Sequence, residues 1–295
     1  MFLVVGGTGV VGRHVVERAV ESGARVRVLT REAGHAPSGA EVAVGDLRDA
    51  DSVATALAGV TRVVCTVHGG EGVGRNGPRG IEGAALPGLI DAAETAGVRN
   101  FVYVSATSAE VDSPVDLFRG KAQVEARLSR GRMPYVILRP THLMETWVPM
   151  LADSLVKSSR ALIFGSGDNP VPFVSGADIA SAAVQFAARP GSGQTVELGG
   201  SDDWTLRELN TAIAGRLGIA ITKETVLSAR ILRMSAAAVR PFNELQARRM
   251  RLGALLDSRP QTLDAAGAWS ELGIAPTPLS DWLDRHLPAR DGVPR

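Results

Sequence analysis

The amino-acid sequence predicts an α/β protein, in which a doubly wound parallel sheet is followed by a smaller, mostly helical C-terminal part. Three observations predict this class. Up to residue 140, short apolar runs alternate with amphipathic stretches of roughly 10–15 residues, the pattern of βαβ units with right-handed crossovers. A glycine-rich segment, GGTGVVG at 6–12, directly follows the first apolar run. Beyond residue 140 the alternation loosens and helical periodicity dominates.

The predicted strands are runs of apolar and β-branched residues with turn residues on both sides. They cover residues 2–5, 25–29, 41–44, 62–67, 100–104, 135–138, 161–164 and 195–198. The first run, FLVV, contains no polar residue, which is typical of a parallel strand that is buried on both faces.

The predicted helices carry their apolar residues on one stripe. They cover residues 10–22, 51–58, 81–96, 117–129, 143–156, 178–188, 206–217 and the Ala-, Leu- and Arg-rich stretch 225–256. In the first helix Val11, Val15 and Val16 lie on this stripe, and Gly23 is placed to end the helix as a C-cap.

Composition excludes several classes of function. With 295 residues and a hydrophobic fraction of 45%, the chain can bury a sizeable core in one or two domains. The 32 basic and 31 acidic side chains give a net charge of +1, which offers no electrostatic reason to expect nucleic acid or membrane as a partner. The single cysteine, Cys65, excludes an internal disulfide and a cysteine-based zinc site. No basic leader and no long apolar run stand out, so we expect a cytoplasmic protein.

Gly6, Gly9 and Gly12 are spaced three apart between a predicted strand and a predicted helix. At such a junction the first glycine permits a tight turn, the second lets a pyrophosphate approach the backbone, and the third lets the helix pack on the strand. The helix N-terminus adds N–H groups and the positive end of its dipole. We therefore predict a Rossmann-type dinucleotide site; a glycine turn without a ligand is the alternative.

Further segments extend this pattern along the chain. They are GDLRD at 45–49, AAETAGVRNFVYVS at 92–105, LRPTHLME at 138–145, and VPFV at 171–174 with DIA at 178–180. With the G-x-x-G-x-x-G loop, they make the chain similar to the atypical branch of the short-chain dehydrogenase/reductase superfamily, the NmrA-like or isoflavone-reductase-like NAD(P)-binding proteins. The resemblance covers roughly residues 1–215. It implies a Rossmann fold, an NAD(P) cofactor and oxidoreductase activity.

The expected domain organisation follows from these segments. Residues 1–140 are predicted to form the NADP-binding Rossmann domain, to which residues 171–200 return. Residues 141–170 and 201–288 are predicted to form a smaller substrate-binding cap, and residues 289–295 a frayed tail.

The end of the second predicted strand indicates which dinucleotide is bound. An NAD site has an acid there, about 20 residues past the loop, to hold the ribose 2′-hydroxyl. Here Thr30 is followed by Arg31, whose guanidinium can hold a 2′-phosphate, so we predict NADP(H). A solvated surface charge is the alternative for Arg31. The predicted cofactor-binding residues are Gly6, Thr8, Gly9, Val10, Val11, Gly12, Thr30, Arg31, Asp46, Leu47, Thr66, Val67 and Lys121.

The catalytic set that the resemblance implies is incomplete. It consists of a Tyr as proton donor, a Lys four residues later that binds the nicotinamide ribose, and a Ser that bonds the substrate oxygen. Ser105 and Lys121 match, but Leu117 stands at the Tyr position. The two tyrosines of the chain, Tyr103 and Tyr135, lie in predicted strands and cannot replace it.

His142 is the first candidate for a substitute proton donor, followed by His68 and then Asp116. It follows the sixth predicted strand, at the edge where open parallel sheets bind ligands, and an imidazole exchanges protons near neutral pH. Packing in the crevice wall is the alternative. The predicted catalytic residues are Lys121, Ser105 and His142, and the predicted substrate-binding residues are His68, Met144, Trp147 and Phe173.

Three other features allow two interpretations. The loop at 68–77 contains five glycines and is either a lid over the nicotinamide or a loose connection. The apolar residues Met144, Trp147, Met150 and Phe173 either line a substrate pocket or form core. The arginines between 230 and 251 are predicted to form a solvated helix face, and binding of an anionic or phenolate substrate is the alternative.

The most direct functional prediction is an NADPH-dependent reductase of a small, apolar carbonyl, enone or quinone. A conjugated acceptor tolerates the missing Tyr, since its reduced anion can take a proton from water. Two alternatives stay open: a non-catalytic NADP(H)-sensing regulatory module, and an epimerase-like or non-redox member that uses its cofactor internally. A homodimer is one open oligomeric state, and no metal site is expected.

Overall fold

The structure, a computed structural model, describes residues 1–256 and 261–287. The chain divides into two compact units. Unit 1 comprises Met1–Pro140, Gly176–Leu198 and Glu271–Ile274, and unit 2 comprises Thr141–Ser175, Gly199–Ser270 and the residues from Ala275 onward. The predicted tail at 289–295 lies outside the described residues.

The strands follow the predicted alternation closely. In chain order they are β1 Phe2–Val5, β2 Val26–Thr30, β3 Glu41–Val44, β4 Arg62–Cys65, β5 Asn100–Val104, β6 Tyr135–Pro140, β7 Arg160–Phe164, β8 Gln194–Leu198 and β9 Lys223–Leu227. Seven of them form one sheet in the order β3-β2-β1-β4-β5-β6-β8, and every pairing in it is parallel. The predicted doubly wound sheet is therefore confirmed.

The helices of the described residues connect these strands. They are α1 Val10–Glu21, α2 Ala50–Leu57, α3 Pro78–Gly80, α4 Leu86–Thr95, α5 Asp116–Arg130, α6 Met144–Ser158, α7 Gly176–Ala188, α8 Leu206–Leu217, α9 Ala229–Val239, α10 Glu244–Leu255, α11 Ala266–Leu272 and α12 Leu279–His286. In α1 the predicted valine stripe is buried, and Gly23 with a φ of +79° follows the helix. In the part of the chain that the structure describes, no helix has the length and apolar character needed to cross a bilayer.

The sheet of unit 1 reverses its strand order between β1 and β4. From β1 the chain proceeds outward to β2 and β3, and from β4 it proceeds to the other side through β5 and β6. Ligands of open α/β sheets bind at the carboxyl ends of strands at such a switch point. The two segments that follow these strands, 6–12 and 66–67, therefore face the expected ligand position.

Unit 2 corrects one prediction. Residues 225–256 were expected to be helical throughout, but 225–227 belong to β9, which pairs with β7 in parallel. The helix begins only after Ser228, whose hydroxyl accepts a hydrogen bond from the Ile231 N–H as an N-cap. Asn243 caps α10 in the same way. The prediction failed because the pairing of β9 with a strand some 60 residues earlier is not a local property of the sequence.

Candidate cofactor and active site

The glycine loop is folded tightly against the end of β4. Gly6 has a φ of +88°, and a Cβ on it would lie 2.7 Å from the Thr66 hydroxyl oxygen and 2.7 Å from the Val67 nitrogen. A Cβ on Gly12 would lie 2.0 Å from the Gly6 carbonyl oxygen. These two glycines are therefore required by the fold itself, whatever is bound.

Gly9 differs from its two neighbours in the loop. Its Cβ would meet only the Gly6 oxygen, at 3.3 Å, and its φ of −81° suits any residue. Gly9 is the N-cap of α1, and no side chain caps this helix, so the N–H groups of its first turn lack a side-chain partner. The missing side chain at Gly9 keeps the approach to these N–H groups open, as pyrophosphate binding requires.

At the far end of the predicted cofactor site, Thr30 ends β2 and Arg31 is exposed. Asp46 follows the adjacent strand β3, and the Arg48 guanidinium donates to its carboxylate with an Nε–Oδ1 distance of 2.8 Å. This hydrogen bond is the main cause that lowers the pKa of Asp46 to about 2, and the charge of Arg31 contributes. Leu47 packs against the core. The structure thus places Arg31 and Asp46 in one electrostatic neighbourhood.

Ser105 and Lys121 belong to one buried polar network. The Ser105 hydroxyl donates to Glu125 at 2.5 Å, and the Arg139 guanidinium donates to both oxygens of the same carboxylate at 3.0 and 2.5 Å. The Lys121 ammonium donates to the Val104 carbonyl at 2.9 Å. Since the only proton of the Ser105 hydroxyl goes to Glu125, its oxygen has only acceptor capacity left for a ligand. Glu125 was not predicted from the sequence, although its spacing of four from Lys121 on α5 points to it.

Neither tyrosine reaches the position of the missing proton donor. Leu117 lies one turn before Lys121 on α5 and is 8% exposed. Tyr103 lies in β5 with its hydroxyl buried and without a hydrogen-bond partner, and burial raises its pKa well above the usual value. Tyr135 is the first residue of β6. Both tyrosines therefore lie in strands, outside α5, and Leu117 occupies the helix position one turn before Lys121.

The helix predicted at 81–96 is not uniform. The short helical turn α3 precedes residue 81, the segment Ile81–Ala85 is π-helical, and α4 follows it. A π-helical segment alters the direction in which side chains point and occurs often at functional sites. The change of helix type is a correction to the prediction of one continuous helix.

Glu82 lies in this π-helical segment and is fully buried. Its carboxylate accepts the Gly69 N–H with N–O distances of 3.0 and 3.2 Å. It packs against α5 where Gly120 has no side chain, since a Cβ there would lie 2.7 Å from the Glu82 Cβ. Burial lowers the pKa of Lys121, and the negative charge of Glu82 is the strongest influence that opposes this shift. Glu82 therefore accepts a hydrogen bond from the start of the glycine-rich loop and also stabilises the positive charge of Lys121.

His68 begins that loop and keeps exposed surface. Its Nδ1 accepts the Gly70 N–H at 3.1 Å, which leaves Nε2 as the protonated nitrogen of the neutral ring. Surrounding atoms desolvate the ring, and this effect together with the charge of Lys121 lowers the pKa of His68. His68 is therefore neutral at physiological pH.

Unit 2 contains an aromatic cluster around His142. The His142 ring centroid lies 5.4 Å from that of Trp147 and 6.1 Å from that of Phe173, and Trp147 lies 5.8 Å from Phe164. Of the predicted substrate-binding residues, Trp147 and Phe173 belong to the cluster; Met144 and Phe173 are both buried in the core of unit 2, and Trp147 is partly buried against it. Phe164 was not predicted, because its place at the end of β7 depends on the tertiary fold.

The His142 ring carries an unsatisfied polar atom. Its Nδ1 is buried and has no hydrogen-bond partner, and burial lowers the pKa of the ring to about 4. Buried polar groups without a partner are rare in native proteins, because they lose their bonds to water without replacement. A ligand atom at this position would provide the missing partner.

The low pKa predicts how stability depends on pH. In the unfolded chain His142 titrates at its ordinary pKa of 6.5, and in the folded chain at about 4. Between these values the unfolded chain binds more protons, so the free energy of unfolding falls as the pH is lowered. We expect wild type to lose roughly 2 kcal/mol relative to His142→Gln between about pH 7 and pH 4.5 in urea-unfolding series. A difference that does not change with pH would contradict the burial of this ring.

No group of three or more His, Cys, Asp or Glu residues able to hold a metal ion occurs within residues 1–256 and 261–287. Cys65 is buried in β4, and burial raises its thiol pKa to about 12.

The sheet order and the glycine loop at its switch point define an NAD(P)-binding protein of the atypical short-chain dehydrogenase/reductase class. The NAD(P)H-binding family matches residues 6–190, more than half of the 295 residues, and the chain belongs to this family. The chain is 29% identical over 258 residues to an NAD(P)H azoreductase from Xenophilus azovorans, which covers 84% of this chain and 86% of that protein.

Two solved structures share the fold. An NADPH-dependent quinone oxidoreductase from Escherichia coli, in complex with NADPH, has a TM-score of 0.79 at 22% identity and covers 97% of this chain and 99% of its own. A triphenylmethane reductase from Citrobacter sp., in complex with NADP(H), has a TM-score of 0.76 at 20% identity with the same coverage. The comparisons confirm the predicted superfamily, NAD(P)H as the cofactor, and the prediction of an oxidoreductase.

Proposed function

We propose that the chain is an NADPH-dependent reductase of small, apolar and conjugated acceptors, with quinones as the first choice. The residues proposed to bind NADPH belong to unit 1, and the aromatic residues on which the acceptor class is argued belong to unit 2. The observation that carries the acceptor class is the aromatic cluster around the unpartnered His142 nitrogen. Aromatic side chains bind a flat, conjugated ring by stacked or edge-on contacts, and a single polar nitrogen orients its oxygen. The azo, quinone and triphenylmethane compounds in the names of the relatives share this conjugated character.

The side chains of unit 1 have separate roles in this proposal. The N–H groups at the start of α1 bind the pyrophosphate, and Arg31 binds the 2′-phosphate, so that NADPH is preferred to NADH. Lys121 binds the nicotinamide ribose. Bound NADPH supplies the hydride.

In this proposal the reduced acceptor is protonated without a Tyr. The Ser105 hydroxyl donates to Glu125 and cannot also donate to a developing oxyanion. With a pKa near 4, His142 is neutral at physiological pH, and its Nδ1–H tautomer can donate a hydrogen bond to the acceptor oxygen. One hydride and one proton convert a quinone to its hydroquinone, and the hydroquinone anion takes this proton from water.

The test is a titration with NADPH and NADH, followed by acceptors with the nicotinamide absorbance recorded. We expect tighter binding of NADPH, its consumption with quinones, and a decrease of kcat by about 10–100-fold in His142→Gln with an unchanged Kd for NADPH. His286→Gln is the matched control, since this second histidine of unit 2 stacks on Trp282 outside the cluster. An unchanged kcat in His142→Gln removes this residue from the mechanism.

A non-catalytic NADP(H) sensor is the second candidate, and one observation favours it. The Ser105 proton and one of the three Lys121 N–H donors are engaged within the protein, and Leu117 stands where the usual Tyr would be. This candidate predicts tight NADPH binding with no consumption by any acceptor in the same experiment. Sustained consumption excludes it.

A further inference from the structure

The helical hairpin of α9 and α10 exposes apolar side chains that the proposed reductase does not use. Ile231 and Met234 on α9 are 56% and 64% exposed. Phe242, in the turn between the two helices, is 91% exposed, the highest value among the large hydrophobic side chains described. Ala238 is also exposed. We refer to Ile231, Met234, Ala238 and Phe242 as the hairpin stripe.

The stripe lies on the side of α9 that faces away from the protein. Ile231, Met234 and Ala238 are spaced i, i+3 and i+7, which places them on one helix face. Leu232 and Ala236 lie on the other face of α9 and are 4% and 0% exposed, so this face is buried within unit 2. Helix α9 therefore has a buried apolar face, which packs against its neighbours, and a second apolar face, the hairpin stripe, which is exposed.

The segment that carries this stripe is rich in arginine. Residues 228–251 contain six arginines and one acidic residue, Glu244, so this segment has a net charge of +5 in a chain whose total is +1. Arg230, Arg233 and Arg240 are exposed around the stripe. The prediction of a solvated arginine face is corrected at Arg248, which is 1% exposed and has Glu244 at 3.5 Å. The other arginines of the segment are exposed or half-buried.

We propose that the hairpin stripe docks on the surface of an anionic lipid bilayer. An apolar helix face flanked by arginines binds at the boundary of headgroups and acyl chains, where the arginine stems lie along the apolar region and the guanidinium groups reach the phosphates. Phe242, at the tip of the hairpin, enters deepest. The expectation that no membrane is involved was based on the net charge of the chain, which conceals this local concentration.

The size of the stripe favours a bilayer over a protein partner or a second copy of the chain. At the given exposures Ile231, Met234 and Phe242 present on the order of 400 Å² of accessible surface. A stable protein interface buries about 800 Å² on each partner. A bilayer needs no such area, since anionic lipid attracts each arginine near its surface independently.

The experiment is co-sedimentation of the full chain with vesicles of phosphatidylcholine alone and with 30% phosphatidylglycerol. We expect partitioning to the anionic vesicles only, weakened by high salt. Phe242→Ser should lower the partition coefficient at least about tenfold. Arg230→Gln with Arg233→Gln should remove the preference for anionic lipid. All three side chains are exposed, so the variants are expected to fold.

Val111→Ser is the matched control, because Val111 is 76% exposed in unit 1 and lies outside the hairpin. Its partitioning should equal that of wild type. The proposal is overturned if wild type does not bind anionic vesicles, or if Phe242→Ser binds them equally well. It is also overturned if sedimentation velocity shows a dimer that Phe242→Ser dissociates, since the stripe then belongs to a second copy of the chain.

Discussion

Gly9→Ala is expected to weaken NADPH binding at least about a hundredfold while changing the free energy of unfolding by less than about 1 kcal/mol. The folded chain can accept a methyl group there, because its nearest contact is the Gly6 oxygen at 3.3 Å and the φ of −81° suits alanine. A bound pyrophosphate cannot accept it, because the methyl group stands in front of the N–H groups at the start of α1. A titration by tryptophan fluorescence and a urea-unfolding series measure the two quantities.

Gly12→Ala provides the contrast. Its Cβ would lie 2.0 Å from the Gly6 carbonyl oxygen, so the loop must move and we expect a loss of about 3 kcal/mol in stability. Gly215→Ala is the control for the substitution itself: α8 has open space at this position, so NADPH affinity should be unchanged and stability should rise by up to about 1 kcal/mol. Wild-type affinity for NADPH in Gly9→Ala would show that the pyrophosphate lies elsewhere.

Unit 1 could be predicted from the sequence because the central strands of its sheet are buried. The parallel strand β1, buried at all four positions, appears in the sequence as the uninterrupted apolar run FLVV. The strand β9 has the sequence KETVL and is mostly exposed, so its composition does not distinguish it from the helix that follows. Arg248 was assigned to a solvated face because nothing in its local sequence indicates burial.

For the candidate site, the sequence predicted which residues contribute better than it predicted the hydrogen-bond partners of their side chains. The glycine loop, Ser105 and Lys121 follow from local spacing and resemblance. The engagement of the Ser105 proton by Glu125 depends on how α5 packs against β5 and β6, which no local pattern contains. Glu82 was not predicted for the same reason. Its segment has the sequence pattern of an ordinary helix, whereas its role depends on the π-helical turn and on the contact with Gly120.

Glu82→Gln is expected to cost roughly 3 kcal/mol of stability, because it leaves the buried Lys121 ammonium without its strongest stabilising charge. The glutamine oxygen can still accept the Gly69 N–H, so the loop connection is kept and the electrostatic loss is isolated. Glu21→Gln, at the exposed end of α1, is the matched control and should be neutral.

The same substitution changes how NADPH binding depends on pH. The pKa of Lys121 is already lowered by burial, and loss of the Glu82 charge lowers it further, so the lysine becomes neutral at a lower pH. The fall in NADPH affinity on the alkaline side should therefore begin at a lower pH in Glu82→Gln than in wild type.

A double-mutant cycle with Lys121→Met separates this pair from general damage to the core. If the two charges stabilise each other, the double variant is more stable than the sum of the two single losses predicts, by about 1–3 kcal/mol. If the two losses in unfolding free energy are additive, and the fall in NADPH affinity at alkaline pH is the same in Glu82→Gln as in wild type, then Glu82 does not act through the charge of Lys121. Replacement of both charges should therefore cost less than the two single losses added together, because each single variant leaves an unpaired buried charge that the double variant does not.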